Sequence, residues 1–143
     1  VENNPKKINF IKKNFKKVKF IKNYKKNNIF FDYIYETTGI NKIIEFCYNF
    51  TKISGKLILI GVPKFDQKIK INTLGINYGK KIIGSYGGGV VPRRDIIKIF
   101  TYVRKNKINL NKLIQGPYPF VLINKIMNKM LKGQIINKPV IKF

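Results

Sequence analysis

The run Leu57-Ile58-Leu59-Ile60, closed by Gly61-Val62-Pro63, constrains the fold more than any other feature of the chain. Four consecutive apolar residues without polar alternation describe a strand buried on both faces, the environment of a parallel sheet covered by helices. Its surroundings agree. Tyr33-Ile34-Tyr35 reads as a preceding strand that stops at Glu36-Thr37-Thr38-Gly39. Ile40, Ile43, Ile44, Cys47 and Phe50 then share one face of an intervening helix that is expected to close at Ser54-Gly55. Strands alternating with helices of this length imply βαβ units, so the fold class is α/β.

The same reading extends in both directions. Val1-Glu2 looks like the end of a strand, and Asn3-Asn4-Pro5 supplies a cap followed by proline at a first helical position. Ile8, Ile11 and Phe15 recur at helical spacing after it. Val18-Lys19-Phe20-Ile21 is expected to be a short strand and Asn23 to Asn28 a polar loop. Lys80 to Tyr86 predicts one more strand, broken by Gly87-Gly88-Gly89, after which Pro92 opens a helix carrying Ile96, Ile97, Phe100 and Val103. A loop follows. Leu122, Ile123, Ile126, Met127 and Met130 mark a last helix stopped by Gly133, and Val140 to Phe143 closes as a strand.

Composition bears on function chiefly by exclusion. Thirty Lys plus Arg stand against six Asp plus Glu, a net charge of +24, which is the electrostatic footprint of many nucleic-acid-binding domains. Only three of the cations are Arg (Arg93, Arg94 and Arg104), whereas reading of bases or phosphates favours the planar, bidentate guanidinium. No specific nucleic-acid partner is expected, only salt-sensitive attraction to polyanions. With one Cys and no His, the chain supplies no Cys/His zinc cage, no Ser-His or Cys-His catalysis and no internal disulfide. Cys47 lies on the buried face of its helix, where a packing role outweighs a reactive one. No apolar run approaches the roughly 20 residues of a membrane span. The chain opens Val1-Glu2-Asn3-Asn4 without a start Met or an apolar signal core, and is read as part of a longer cytoplasmic protein.

Taken in order, these segments resemble a known family. The acidic residue after a strand, the Asn-Pro-Lys-Lys helix, Phe31 to Gly39 and Gly55 to Pro63 are similar to the zinc-dependent alcohol dehydrogenases of the medium-chain dehydrogenase/reductase superfamily. Gly84 to Gly89, Pro92-Arg93-Arg94-Asp95-Ile96, Leu113-Ile114, Ile123-Asn124 and Gly133 to Phe143 follow in the family's order, so the resemblance covers essentially the whole chain. It implies a partial Rossmann-type doubly wound parallel sheet, with residues 1–86 forming the later part of an NAD-binding domain. Residues 87–143 would be a segment that returns to pack on the catalytic lobe. In a sheet ordered 3-2-1-4-5-6, the absence of strand 1 and most of strand 2 leaves strand 3 without its neighbours.

The resemblance also assigns roles in holding NAD. Glu2 stands where the family places the acid that binds the adenosine ribose hydroxyls and repels a 2′-phosphate; alone, it reads as a solvated acid near a helix N-terminus. Lys7 falls near the same ribose, although a solvated lysine is an equal alternative in so Lys-rich a chain. Thr38 and Gly39 lie where the family's chain passes the adenine, and Thr37 and Thr38 read equally as β-branched strand residues. The carbonyls of Ile60 and Ser85 and the amide of Gly87 would hold the nicotinamide carboxamide, with Gly61 and Val62 beside them; the glycine run also reads as a flexible turn between lobes. Lys138 matches an Arg that contacts the pyrophosphate. The Gly-rich phosphate turn, the zinc ligands and the proton relay have no counterpart here, so no catalytic or metal-binding residue is assigned.

The function implied is hydride transfer between NAD and a small alcohol or aldehyde, in a homodimer or tetramer joined through the edge strand near Lys81 to Tyr86, with zinc supplied in the parent molecule. Two rivals stand beside it. One is another Rossmann enzyme, such as a zinc-free quinone reductase-like relative or a methyltransferase, and the other is a basic, non-catalytic nucleic-acid-binding module.

Overall fold

A computed structural model describes residue 2, residues 4–21 and residues 29–143 of the chain. The expectations for Val1 and for the loop from Asn23 to Asn28 lie outside the described residues. The chain divides into two compact units, residues 23–95 and residues 1–22 with 96–143.

The first unit is built on three parallel strands, β1 (Phe31–Glu36), β2 (Thr51–Leu59) and β3 (Lys81–Gly84), in the order β1-β2-β3. Helix α2 (Asn41–Asn49) connects β1 to β2, and the short helix α3 (Leu74–Asn77) lies in the connection to β3. Register explains the core. Ile34, Leu57 and Ile82 are lateral partners and therefore share one face of the sheet. Leu57 is fully buried there against Ile44 and Tyr48 of α2, with Ile34, Cys47, Leu59, Ile69, Ile71 and Ile82 packed around them. Tyr48, four residues after Ile44 and so on the same helix face, donates its hydroxyl to Asn72 O at 2.6 Å, which satisfies the polar end of a buried ring.

Two expectations need correction here. The α2 helix ends at Asn49, not at Ser54-Gly55, and β2 begins at Thr51. Ser54 adopts a left-handed φ of 67°, and the β1/β2 register shifts between Phe31 and Tyr33, so the strand starts early by accommodating an irregularity. The Leu57 to Ile60 run is central but not buried throughout. Ile58 is half-buried and Ile60 is exposed, because α2 covers only the face that Leu57 occupies. Strand β3 pairs only with β2 among the described residues and is the edge expected from Lys81 onward, with Ile82 turned to the core and Ile83 40% exposed.

The second unit holds α1 (Pro5–Asn14), most of α4 (Pro92–Lys105), α5 (Ile123–Leu131) and the parallel pair β4 (Ile114–Pro119) and β5 (Lys138–Lys142). Asn4 caps α1: its Oδ1 accepts from Lys6 N at 3.0 Å and Lys7 N at 3.4 Å, while its Nδ2 donates to Gly133 O at 3.0 Å. Gly133 takes φ +64°, the left-handed conformation that ends α5. Val18 to Ile21 forms no strand: it pairs with none of the described strands, and β propensity without a ladder partner does not make a strand. The loop expected before α5 contains β4 instead. Its Gly and two Pro read as turn residues, yet a register shift between Gln115 and Tyr118 lets the segment pair with β5.

Leu57→Ala is expected to lower stability by about 3 kcal/mol in urea unfolding, as a fully buried leucine leaves a cavity. Ile83→Ala, on the exposed face of the same sheet, is expected to change it by well under half as much.

Candidate functional site

Parallel strands deliver all their carboxyl ends to one edge of the sheet, where their last carbonyls and following turns border a crevice. Glu36, the last residue of β1, organises that edge. It is 2% exposed, and its Oε1 accepts from the Thr38 amide at 2.6 Å and from the Thr38 hydroxyl, while Oε2 accepts from Gly39 N at 3.0 Å. Its main-chain carbonyl accepts from Ile60 N at 2.8 Å and Gly61 N at 3.0 Å. One residue therefore fixes the turn after β1 with its side chain and the turn after β2 with its backbone.

The two turns are packed back to back. Gly39 has φ +67°, and a Cβ there would lie 2.4 Å from Val62 O; a Cβ on Gly61 would lie 2.2 Å from Gly39 N. Both positions require glycine. Thr38, Gly39, Ile60, Gly61 and Val62 are thereby brought together, with Ile60 and Val62 exposed. Ser85 follows β3 and donates its amide to Leu59 O at 2.9 Å, continuing the same edge. Gly87 has open space around it, and its amide donates to Ser85 O at 3.1 Å, so these two groups satisfy each other.

Glu2, Lys7 and Lys138 belong to the other unit. Lys7 Nζ stands 3.8 Å from Glu2 Oε2, a half-exposed pair of little energetic weight. Lys7 and Lys138 line one depression of about 270 Å³, whose apolar wall is Phe10, Ile11, Phe15, Leu113 and Ile136. Cations beside an aromatic and aliphatic wall suit a ligand with a flat apolar part and an anionic part. Among the described residues, no group of three or more His, Cys, Asp or Glu could hold a metal ion, and no helix is long and apolar enough to cross a membrane.

Sequence reasoning passed over Glu36 as a strand terminator and did not see Phe10 and Phe15 as a wall. The signal for Glu36 was present, since the alternation that turns Ile34 inward turns Glu36 inward two residues later. Cys47 is half-buried; burial first, and the Glu36 carboxylate second, push its thiol pKa up.

No family model matches the chain. Alcohol dehydrogenase-like 5 of Arabidopsis thaliana is 26% identical over 104 residues, 72% of this chain and 27% of that protein. Alcohol dehydrogenase 1 of Trifolium repens is 33% identical over 82 residues, 57% of this chain and 22% of that protein. Among solved structures, benzyl alcohol dehydrogenase from Acinetobacter calcoaceticus matches with a TM-score of 0.73 at 24% identity, covering 84% of this chain and 33% of that one. Over this part of their length the chain is similar to alcohol dehydrogenases. Acetophenone reductase from Geotrichum candidum, in complex with NAD, matches with a TM-score of 0.60 at 18% identity, covering 80% of this chain and 31% of that one. The three parallel strands are thus part of a Rossmann-type doubly wound sheet. The chain spans about a quarter of the length of the curated relatives it matches.

Glu36→Gln replaces an acceptor oxygen with an NH₂ that faces an amide donor. It is expected to cost about 1–3 kcal/mol and to speed hydrogen exchange at the Thr38 and Gly39 amides. The pH midpoint for alkylation of Cys47 is expected above that of an ordinary thiol. It should move down in Glu36→Gln, since removing a neighbouring negative charge favours the thiolate.

Proposed function

We propose that this chain is the cofactor-holding portion of an NAD-dependent oxidoreductase of the alcohol dehydrogenase type, which transfers hydride between the nicotinamide and the carbon of a small alcohol or aldehyde. In this reading residues 1–86 are the later part of the dinucleotide-binding domain and residues 87–143 the segment that returns to the catalytic lobe. The observation that carries it is the close packing of Gly39 against Val62 and of Gly61 against Gly39, which holds the turns after β1 and β2 together at the carboxyl ends of the parallel strands, the edge at which such sheets take a dinucleotide. The NAD-bound neighbour and the alcohol dehydrogenase relatives support the cofactor and the reaction class.

The depression beneath Lys7 and Lys138 suits the adenosine half of the cofactor. Lys138 would meet the pyrophosphate as a point charge and Lys7 a ribose hydroxyl, with Phe10 and Phe15 providing apolar wall. Glu2, already near Lys7, would accept from the ribose hydroxyls and repel a 2′-phosphate, which favours NAD over NADP. At the other end, the carbonyls of Ile60 and Ser85 and the amide of Gly87 would grip the carboxamide. For that, the Gly87–Ser85 hydrogen bond must exchange for bonds to the ligand, a change the positive-φ glycine run can absorb. When bound, the nicotinamide supplies the hydride donor or acceptor. Zinc would be held by residues outside this chain. The β3 edge, with Ile83 exposed, suits pairing with a second copy into a dimer.

Calorimetry with NADH tests the reading. The isolated 143 residues are expected to bind only weakly, because no Gly-rich turn and helix N-terminus neutralises the pyrophosphate. Joined to the preceding lobe of a relative such as the Trifolium repens enzyme, the chain is expected to reach micromolar affinity and to oxidise alcohols when zinc is present. In that form Glu2→Ala should raise the affinity for NADP relative to NAD about tenfold, or roughly 1.4 kcal/mol. Micromolar binding by the isolated chain, or hydride transfer without metal, would overturn the account.

A further inference from the structure

The Ile60–Gly61 peptide is held from two sides, and both trace to Glu36. Ile60 N and Gly61 N donate to Glu36 O at 2.8 and 3.0 Å, so both N–H groups point toward β1. The peptide is trans, which sets its C=O antiparallel to the Gly61 N–H. The Ile60 carbonyl therefore points away from β1 to the β3 side, where Ser85 is anchored by its amide to Leu59 O at 2.9 Å. A direction is not yet a position. What stops this peptide from shifting along the edge is the preceding turn, since a Cβ on Gly61 would lie 2.2 Å from Gly39 N and 2.6 Å from Thr38 N. Those two amides are held in turn by the Glu36 carboxylate, Thr38 N on Oε1 at 2.6 Å and Gly39 N on Oε2 at 3.0 Å. Oε1 also accepts from the Thr38 hydroxyl, and the residue is 2% exposed, so the carboxylate serves the turn and is out of reach of a ligand.

We propose that Glu36 is a positioning residue that selects the carboxamide of the nicotinamide ring, by fixing the Ile60 carbonyl where it and the Ser85 carbonyl each accept one N–H of the amide. The inference rests on the cofactor reading above and adds to it a residue that touches no ligand. A carboxamide NH₂ has two donors, which matches two carbonyls, and its oxygen takes the Gly87 amide. An acetyl group of the same shape has the oxygen but no donor, so it leaves both carbonyls unpaired. Telling the two apart requires the carbonyls to stand within about 0.5 Å of the place an NH₂ can reach. Glu36→Gln disturbs that placement. With two donors on Oε1 and one on Oε2, the new NH₂ takes the Oε2 place and faces Gly39 N, donor against donor. The Gly39 turn then moves off Gly61. The main-chain bonds from Ile60 and Gly61 survive, but the stop that gave them a position is lost.

The test titrates the full 143-residue chain with NAD and with its acetylpyridine analogue, following the Gly61, Ser85 and Gly87 amides by NMR. The two ligands share their charge and their adenosine half, so the ratio of affinities reads the carboxamide end alone, even where both bind weakly. The parent is expected to favour NAD about tenfold, and Glu36→Gln to cut that preference to about threefold or less. Thr38→Val, which takes one donor from Oε1 and keeps the charge, is expected to fall between them. Tyr48→Phe removes the hydroxyl bond to Asn72 O, away from both turns, and is expected to lower stability while keeping the parent's ratio. No response of these amides to NAD, or equal affinity for the two ligands in the parent, overturns the cofactor reading of these strand ends and the proposal with it. A parent preference that survives undiminished in Glu36→Gln and Thr38→Val, or that Tyr48→Phe loses as fully as Glu36→Gln does, overturns the proposal and leaves that reading standing.

Discussion

The double engagement of Glu36 is the constraint on which the sheet edge depends. A buried carboxylate is costly unless hydrogen bonds satisfy it, and here the Thr38 amide, the Thr38 hydroxyl and the Gly39 amide do so. The same bonds leave the chain after β1 little freedom, and the Glu36 carbonyl binds the chain after β2 through Ile60 and Gly61. Gly39 and Gly61 are then pressed together closely enough to exclude any side chain. The backbone groups proposed for the cofactor at these two strand ends are held by one residue outside the proposed set, through its side chain after β1 and its main-chain carbonyl after β2.

That arrangement fits a wider economy in the use of acids. Only six Asp and Glu are present, and the described bonds direct most of them to main-chain amides. Glu2 accepts from Asn4 N at 2.9 Å, Glu45 from Lys70 N at 2.7 Å, and Asp95 from Val91 N at 2.9 Å, in addition to Glu36. The ion pairs of Asp32 with Lys52 and Asp95 with Arg94 are exposed and screened. In so cationic a chain, acids hold turns and helix starts, and apolar packing around Leu57 holds the sheet.

Legibility in the sequence tracked how local the determining physics was. The α1 start was readable because Asn4 and Pro5 act within one helical turn, and β2 because its apolar run admits few environments. The α2 helix was readable as a helix, but its buried face was drawn through Ile40 and Ile43, which are exposed, and missed Tyr48. Tyr48 is inside because its hydroxyl reaches Asn72 O, a partner 24 residues away that no local pattern announces. The β4 strand was hidden by its glycine and prolines, and Val18 to Ile21 looked like a strand because β propensity is written locally while pairing is not. Of the site, the glycines at the strand ends were legible by their position after apolar runs. That Lys7 and Lys138 share a depression with Phe10 and Phe15 depended on the packing of α1 near the β5 end of the chain, which spacing alone does not encode.

A sheet of three strands with a helix on one side has two unequal faces, and its strand ends differ from both. The α2 face is closed by Ile44, Tyr48 and Leu57 and has no room for a ligand. The strand ends present backbone, which suits a ligand recognised by shape and hydrogen bonds and tolerates drift in side-chain identity. The opposite face presents Tyr33, Tyr35, Ile58 and Ile83 with lysines between them, and so depends on side chains. Substitution therefore separates the two surfaces: a change at Tyr33 or Tyr35 leaves the Glu36 bonds untouched, and a change at Glu36 leaves the tyrosine rows paired in register through β2. A sheet edge and a sheet face built on the same three strands can thus be altered one at a time.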